Sequence, residues 1–185
     1  GKVVSAVCEL KDGQYLLGNE NDGILLFDRH AGMVVPYRTA QNVGTAIYNV
    51  FSMLVDDQTL WIAAFQRGIE AVDLKSRTVK SYLADPSDPS SRVFVLFRSS
   101  SGRIWAGTSV GLFYYDRFED RFVTRDPKVR ISDITEDHAG RLWIATNEDG
   151  LYSYDARTDL LQHYRYDPDD PATISRNAVN TLAVD

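Results

Sequence analysis

The groups in this 185-residue chain that could do chemistry are three histidines, one cysteine and 26 carboxylates. General-base catalysis needs a histidine sheltered within hydrogen-bond reach of its substrate. Glycoside hydrolysis needs two carboxylates placed across one sugar ring. A zinc or calcium site needs His/Cys pairs or an alternating run of oxygen ligands at ligand spacing. His30, His138 and His163 stand apart in the chain, Cys8 lies in the apolar stretch VVSAVCEL, and the acidic turn DPDDP lacks the alternation of a calcium loop. The sequence therefore predicts no catalytic constellation, no metal and no cofactor. A different set does recur at fixed places. Asn49, Arg92 and Arg130 occupy one register, and Gln66, Arg67, Asn147 and Glu148 another. Hydrogen-bonding amides and guanidinium groups around a concave mouth suit a sugar or another small polar ligand.

Composition narrows the partners. The chain carries 20 basic and 26 acidic residues, a net charge of -6, with no basic run. That argues against nucleic acid and against an anionic membrane surface. No stretch approaches the roughly 20 apolar residues of a membrane helix, so no membrane insertion by this segment is expected. A single cysteine allows no intrachain disulfide.

The elements that must hold those polar residues are repeats. Leu60–Trp61, Ile104–Trp105 and Leu142–Trp143 align with Tyr15–Leu16, at spacings of 45, 44 and 38 residues. Such periods mark propeller blades. The fourth copy runs ISDITED, a turn HAGR, LWIAT, a turn NEDG, LYSYD, a turn ARTD and LLQHYRY. Short runs rich in β-branched and aromatic residues, separated by Gly, Asp and Asn, read as four strands with three turns. The prediction is an all-β chain of four-stranded antiparallel blades at 1–48, 49–91, 92–129 and 130–178. Residues 179–185, VNTLAVD, add a seventeenth strand that begins a further blade, so the piece is an incomplete arc of a β-propeller. Trp61, Trp105 and Trp143 would wedge between neighbouring blades, because one blade cannot bury both of its faces. Gly23, Gly68, Gly111 and Gly150 close the second-to-third turns, where positive φ or close backbone approach is expected. Tyr114, Tyr115, Tyr152 and Tyr154 read as blade packing.

The series ITEDHAGRLWIATNEDGLYSYD, followed by YDPDDPATISRNAVNTLAVD, resembles the two-component regulator propeller repeat. The likeness is strongest over 130–185, and weaker over 1–91, where Leu16 replaces tryptophan. The resemblance implies the extracytoplasmic, periplasmic sensor region of a hybrid histidine kinase, with further blades and the kinase elsewhere. The segment TEDHAGRLW at 135–143 also resembles the Asp-box of sialidase-like propellers. Here, however, it joins first and second strands rather than third and fourth, and shared turn physics accounts for the likeness.

On a propeller the second-to-third loops and the loops entering each first strand share one face. That face would carry Asn19, Glu20, Gln66, Arg67, Ser109, Asn147 and Glu148, with Asn49, Arg92 and Arg130 just before their strands. The expected partner is an oligosaccharide or other small ligand, the alternative being a protein-binding scaffold and, behind it, a propeller glycosidase or lyase. Arg92 and Arg130 together would favour an acidic saccharide. Exposed blade faces would also meet neighbouring blades of the same receptor, or a second copy in a homodimer.

Overall fold

The computed structural model describes residues 3–19, 23–37, 49–64 and 66–184; Glu20, one of the loop candidates, lies outside them. Among the described residues, sixteen strands make four antiparallel sheets of four. The first holds β1 (Val4–Lys11), β2 (Gln14–Asn19), β3 (Ile24–Asp28) and β4 (Met33–Pro36). The second holds β5 (Val50–Asp56), β6 (Thr59–Ala64), β7 (Gly68–Asp73) and β8 (Val79–Tyr82). The third holds β9 (Val93–Arg98), β10 (Ile104–Thr108), β11 (Leu112–Asp116) and β12 (Arg121–Arg125). The fourth holds β13 (Ile131–Glu136), β14 (Leu142–Thr146), β15 (Leu151–Asp155) and β16 (Leu160–Tyr164). Each sheet is a meander in chain order, the blade of a propeller. The chain forms two compact units, Gly1–Leu96 and Phe97–Asp185.

Local chemistry explains why each hairpin turns where it does. The last residue of every third strand is an aspartate whose carboxylate accepts backbone N–H bonds from the turn that follows. Asp28 accepts from His30 and Ala31, Asp73 from Lys75 and Ser76, Asp116 from Phe118 and Glu119, and Asp155 from Arg157. These are Asx turns, in which the side chain stands in for a backbone acceptor. Hydrogen bonds to the charged form hold the Asp28, Asp73 and Asp155 carboxyls below the ordinary aspartate value; the leading donors are Ala31 N–H, Ser76 N–H and the Arg157 side chain respectively.

Blades within a unit are joined by packing and by a repeated polar staple. In the first unit Leu16, Val50, Met53, Leu60, Ile62 and Val72 form one buried cluster spanning both sheets. A bulge in the first strand of a blade turns its side chain toward the next blade. Ser52, at the bulge of β5, accepts from Leu96 N–H at 3.0 Å. Asp133, at the matching bulge of β13, accepts from Leu182 N–H at 2.8 Å and from the Thr181 hydroxyl at 3.0 Å. One residue earlier, Ser5 Oγ donates to Val50 O and Ser132 Oγ to Val179 O.

Residues 179–182 therefore dock on β13 in the way Val50 docks on β1 and Leu96 on β5. The sequence expects a seventeenth strand here. A strand requires a backbone ladder, and among the described residues 179–184 have none.

The tryptophans divide in the same way. Trp105 is 1% exposed and meets Tyr114 of its own blade at 5.8 Å and Tyr154 of the following blade at 5.7 Å. It is the inter-blade wedge that the repeat predicts. Trp61 is likewise buried, beside Tyr82. Trp143 is only half-buried. Its ring stacks on Tyr164 at 5.6 Å and its indole N–H donates to Asp137 at 3.0 Å. Among the described residues no further sheet lies against that face of Trp143.

Comparing the two turns exposes a defect in the third blade. Ser99 to Arg103 matches Asp137 to Arg141 residue for residue, and Ser99 replaces the aspartate that accepts from Trp143. The indole N–H of Trp105 is accordingly buried without a hydrogen-bond partner. An orphaned buried donor costs about 1–3 kcal/mol. Ser99→Asp is expected to stabilise the chain by about 1 kcal/mol, the typical net worth of a restored hydrogen bond. Urea unfolding would read this as a higher midpoint at unchanged slope; a lower midpoint would mean that desolvating the new carboxylate outweighs the bond.

Candidate functional site

The turn between β14 and β15 is built by Thr146 and Gly150. Thr146 Oγ1 donates to Gly150 O at 2.8 Å and accepts from Asp149 N–H at 2.9 Å, closing the turn from inside. Gly150 has φ of +82°, and a Cβ there would lie 2.2 Å from Tyr164 O, so the end of β16 passes where a side chain would stand. The glycine is required by both positive φ and close approach, as its repeat position predicted.

This turn meets the residue that enters β13. Asn147 N–H donates to Arg130 O at 3.1 Å, which puts two of the predicted registers side by side. Asn147 Nδ2 donates to Glu148 Oε1 at 3.4 Å. Val129, Arg130, Asn147, Glu148 and Asp149 line a cleft of about 540 Å³, within the range of small-molecule sites. Three of the sequence candidates, Arg130, Asn147 and Glu148, thus share one cleft.

Asp149 was not among the candidates, and it is the most elaborately held residue of the cleft. Tyr152 Oη donates to its Oδ2 at 2.5 Å, and Arg165 lies 3.4 Å from its Oδ1. His163 Nε2 is 2.6 Å from Asp149 O; a carbonyl can only accept, so the proton is on Nε2. The His163 ring stacks flat on Tyr152 at 3.9 Å and 6°. Burial, followed by the bond to Asp149, pushes the Tyr152 phenol above its usual value, so it donates as the neutral hydroxyl. The signal for this cluster was present in the hairpin register: Tyr152 and His163 are cross-strand partners, three residues beyond Asp149 and one before Tyr164. Tyr154 also packs as expected, with its hydroxyl on Asp159 at 2.9 Å.

Asn49, Gln66, Arg67 and Arg92 belong to the first unit. Asn49 is half-buried just before β5, and Arg92 is exposed where it ends the short 3-10 helix Pro89–Ser91, its N–H donating to Pro89 O. Gln66 is exposed with φ of +55°. Arg67 lies 3.8 Å from Glu70, a carboxylate 5% exposed in β7. Burial pushes the Glu70 carboxyl up, and Arg67 opposes that shift. Of the two arginines expected on one rim, Arg130 lines the cleft at 129–149 and Arg92 belongs to the first unit. His30 and His138 sit exposed in turns, as the repeat alignment placed them. Among the described residues no group of three His, Cys, Asp or Glu side chains is placed to hold a metal ion, and no helix is long and apolar enough to cross a membrane.

Known proteins share this architecture. Residues 126–148 match the family described as two component regulator propeller. A curated relative, histidine kinase P4 of Formosa agariphila, is 34% identical over 97 residues, covering 44% of this chain and 7% of the relative. The extracellular domains of two putative hybrid two-component systems of B. thetaiotaomicron superpose with a TM-score of 0.80 each, at 20% identity. They cover 95% and 98% of this chain, which spans 23% and 25% of those structures. At that identity the likeness speaks for the fold. Residues 126–148 thus match the two-component regulator propeller repeat, and the fold along almost the whole length of the chain is the one seen in those extracellular domains.

Proposed function

We propose that this chain is a ligand-recognising propeller segment of a periplasmic sensor of the hybrid two-component histidine kinase kind. It binds a carbohydrate fragment, performs no chemistry of its own and contributes to signalling. The observation that carries this reading is the cleft at 129–149, where a guanidinium, an amide and two carboxylates converge from a turn and a strand entry. Rigid turns on a sheet scaffold are where propellers place recognition. The similarity to extracellular sensor domains supports the cellular setting. Asp149 favours binding over catalysis, since its carboxylate is tied to Tyr152 and Arg165, whereas glycoside chemistry needs two carboxylates free to face one ring.

Calorimetric titration of the full chain with a panel of neutral and acidic plant and host oligosaccharides tests the reading. One or more should bind, and Arg130→Ala or Asn147→Ala should each weaken that binding by about tenfold or more, as expected for losing a hydrogen bond to a polar ligand worth about 1–3 kcal/mol. A panel without a binder, or variants that bind like the wild type, would move ligand recognition away from this cleft.

A further inference from the structure

The charges around the cleft carry a statement about which saccharides it takes. Among the described residues that line the cleft, one cation, Arg130, stands with two carboxylates, Glu148 and Asp149. Arg165 lies 3.4 Å from Asp149 Oδ1 and pairs with it. Asp149 is held on its second oxygen by the Tyr152 hydroxyl, and His163 spends its Nε2 proton on the Asp149 carbonyl. Asp149 is therefore fixed in place, with its charge shared by Arg165. Glu148 is exposed, and Asn147 Nδ2 bonds one of its oxygens, leaving lone pairs for a ligand.

We infer that the cleft selects an uncharged, hydroxyl-rich saccharide end over a carboxylated one, with Glu148 as the residue that makes the distinction. This rests on the cleft being a saccharide site. A carboxylate only accepts hydrogen bonds, and its two oxygens suit a pair of neighbouring hydroxyls; an Arg fork and an amide donate to the ring and hydroxyl oxygens beside them. An acidic sugar gains Arg130 but brings its own carboxylate against Glu148, the exposed carboxylate of the lining. Like charges set together at a binding surface exclude the wrong partner. The sequence alone points the other way, because it pairs Arg92 with Arg130 and passes over Asp149.

The test uses the strongest neutral binder from the calorimetric panel and its counterpart oxidised at C6 to the uronic acid, titrated into the full wild-type chain and into Glu148→Gln. Wild type should prefer the neutral sugar by at least tenfold. Glu148→Gln, an exposed and nearly isosteric change, should narrow that preference to threefold or less, by weakening the neutral sugar, strengthening the uronic acid, or both. Raising the salt concentration should narrow the wild-type preference as well. Equal or tighter binding of the uronic acid to wild type would overturn the inference and leave the saccharide site standing. An unchanged ratio in Glu148→Gln would remove Glu148 from the role. Absence of any binder in the panel would overturn the saccharide reading and this inference with it.

Discussion

Trp105→Ala is expected to destabilise the chain by about 3–5 kcal/mol, the range for emptying a large buried aromatic from a core. The indole is 1% exposed and touches Tyr114 within its blade and Tyr154 in the next. Its removal therefore opens a void that both sheets share. Arg103 lies over both the Trp105 and Tyr114 rings and loses half of its platform as well. Trp143→Ala should cost only about 1–2 kcal/mol, since a half-exposed ring gives up less buried area and a hydrogen bond to Asp137 worth about 1 kcal/mol. Chemical denaturation of the two variants side by side measures the difference. Equal losses would mean that Trp143 is covered in solution by a surface that the isolated chain makes with another copy.

Gly150→Ala is the second large effect. The new Cβ would stand 2.2 Å from Tyr164 O, a backbone atom that cannot rotate away, and the residue would be held at φ of +82°. Left-handed backbone alone costs a non-glycine residue about 1–3 kcal/mol. Displacing the end of β16 also disturbs Tyr164, on which Trp143 stacks, and His163, which holds Asp149. A total of about 3 kcal/mol or more is expected, placing it in the class of special-backbone losses. Gly32→Ala is the matched control, because it has φ of +63° but nothing within 4 Å of the new Cβ. It should lose only about 1 kcal/mol. Melting temperatures of both variants separate the clash from the backbone strain. Similar shifts would show that the contact with Tyr164 O relaxes at little cost.

The four sheets were legible because their signals are local and repeated. A β-branched run, an Asx-forming aspartate and a turn glycine recur in the same order, and each acts within a few residues of itself. Trp105 could be read as a wedge from its register alone. Trp143 could not be separated from it in sequence, because the two occupy identical positions in their repeats. They differ in what lies on the far side of the sheet. The same limit applied to VNTLAVD, which has the composition of a strand and docks on β13 through Ser132 and Asp133, yet lacks a ladder partner.

The cleft was legible in part for a related reason. Arg130, Asn147 and Glu148 followed from register, since loops at one end of a blade must converge. Asp149 looked like an ordinary turn residue. Its role depends on Tyr152, His163 and Arg165, which come from a buried strand position, an outer strand and a connector. No spacing rule joins those three; the antiparallel pairing of β15 with β16 does. The net charge of -6 gave no warning of the local balance either, because a cleft responds to the few groups within about a Debye length, roughly 8–10 Å, of a ligand.

The claim on which the rest depends is that ligand is recognised at the end of the fourth blade where β14 turns into β15. A ¹⁵N-labelled chain titrated with the strongest-binding oligosaccharide, followed by amide chemical shifts, tests it most directly. The account predicts shifts that saturate together at Arg130, Asn147, Glu148 and Asp149, with the smaller response at Tyr152 and His163 that their bonds to Asp149 require. The turns at the other end of the strands, Ser99–Arg103 and Asp137–Arg141, should stay unmoved. Shifts concentrated in those turns, with residues 129–149 silent, would contradict it.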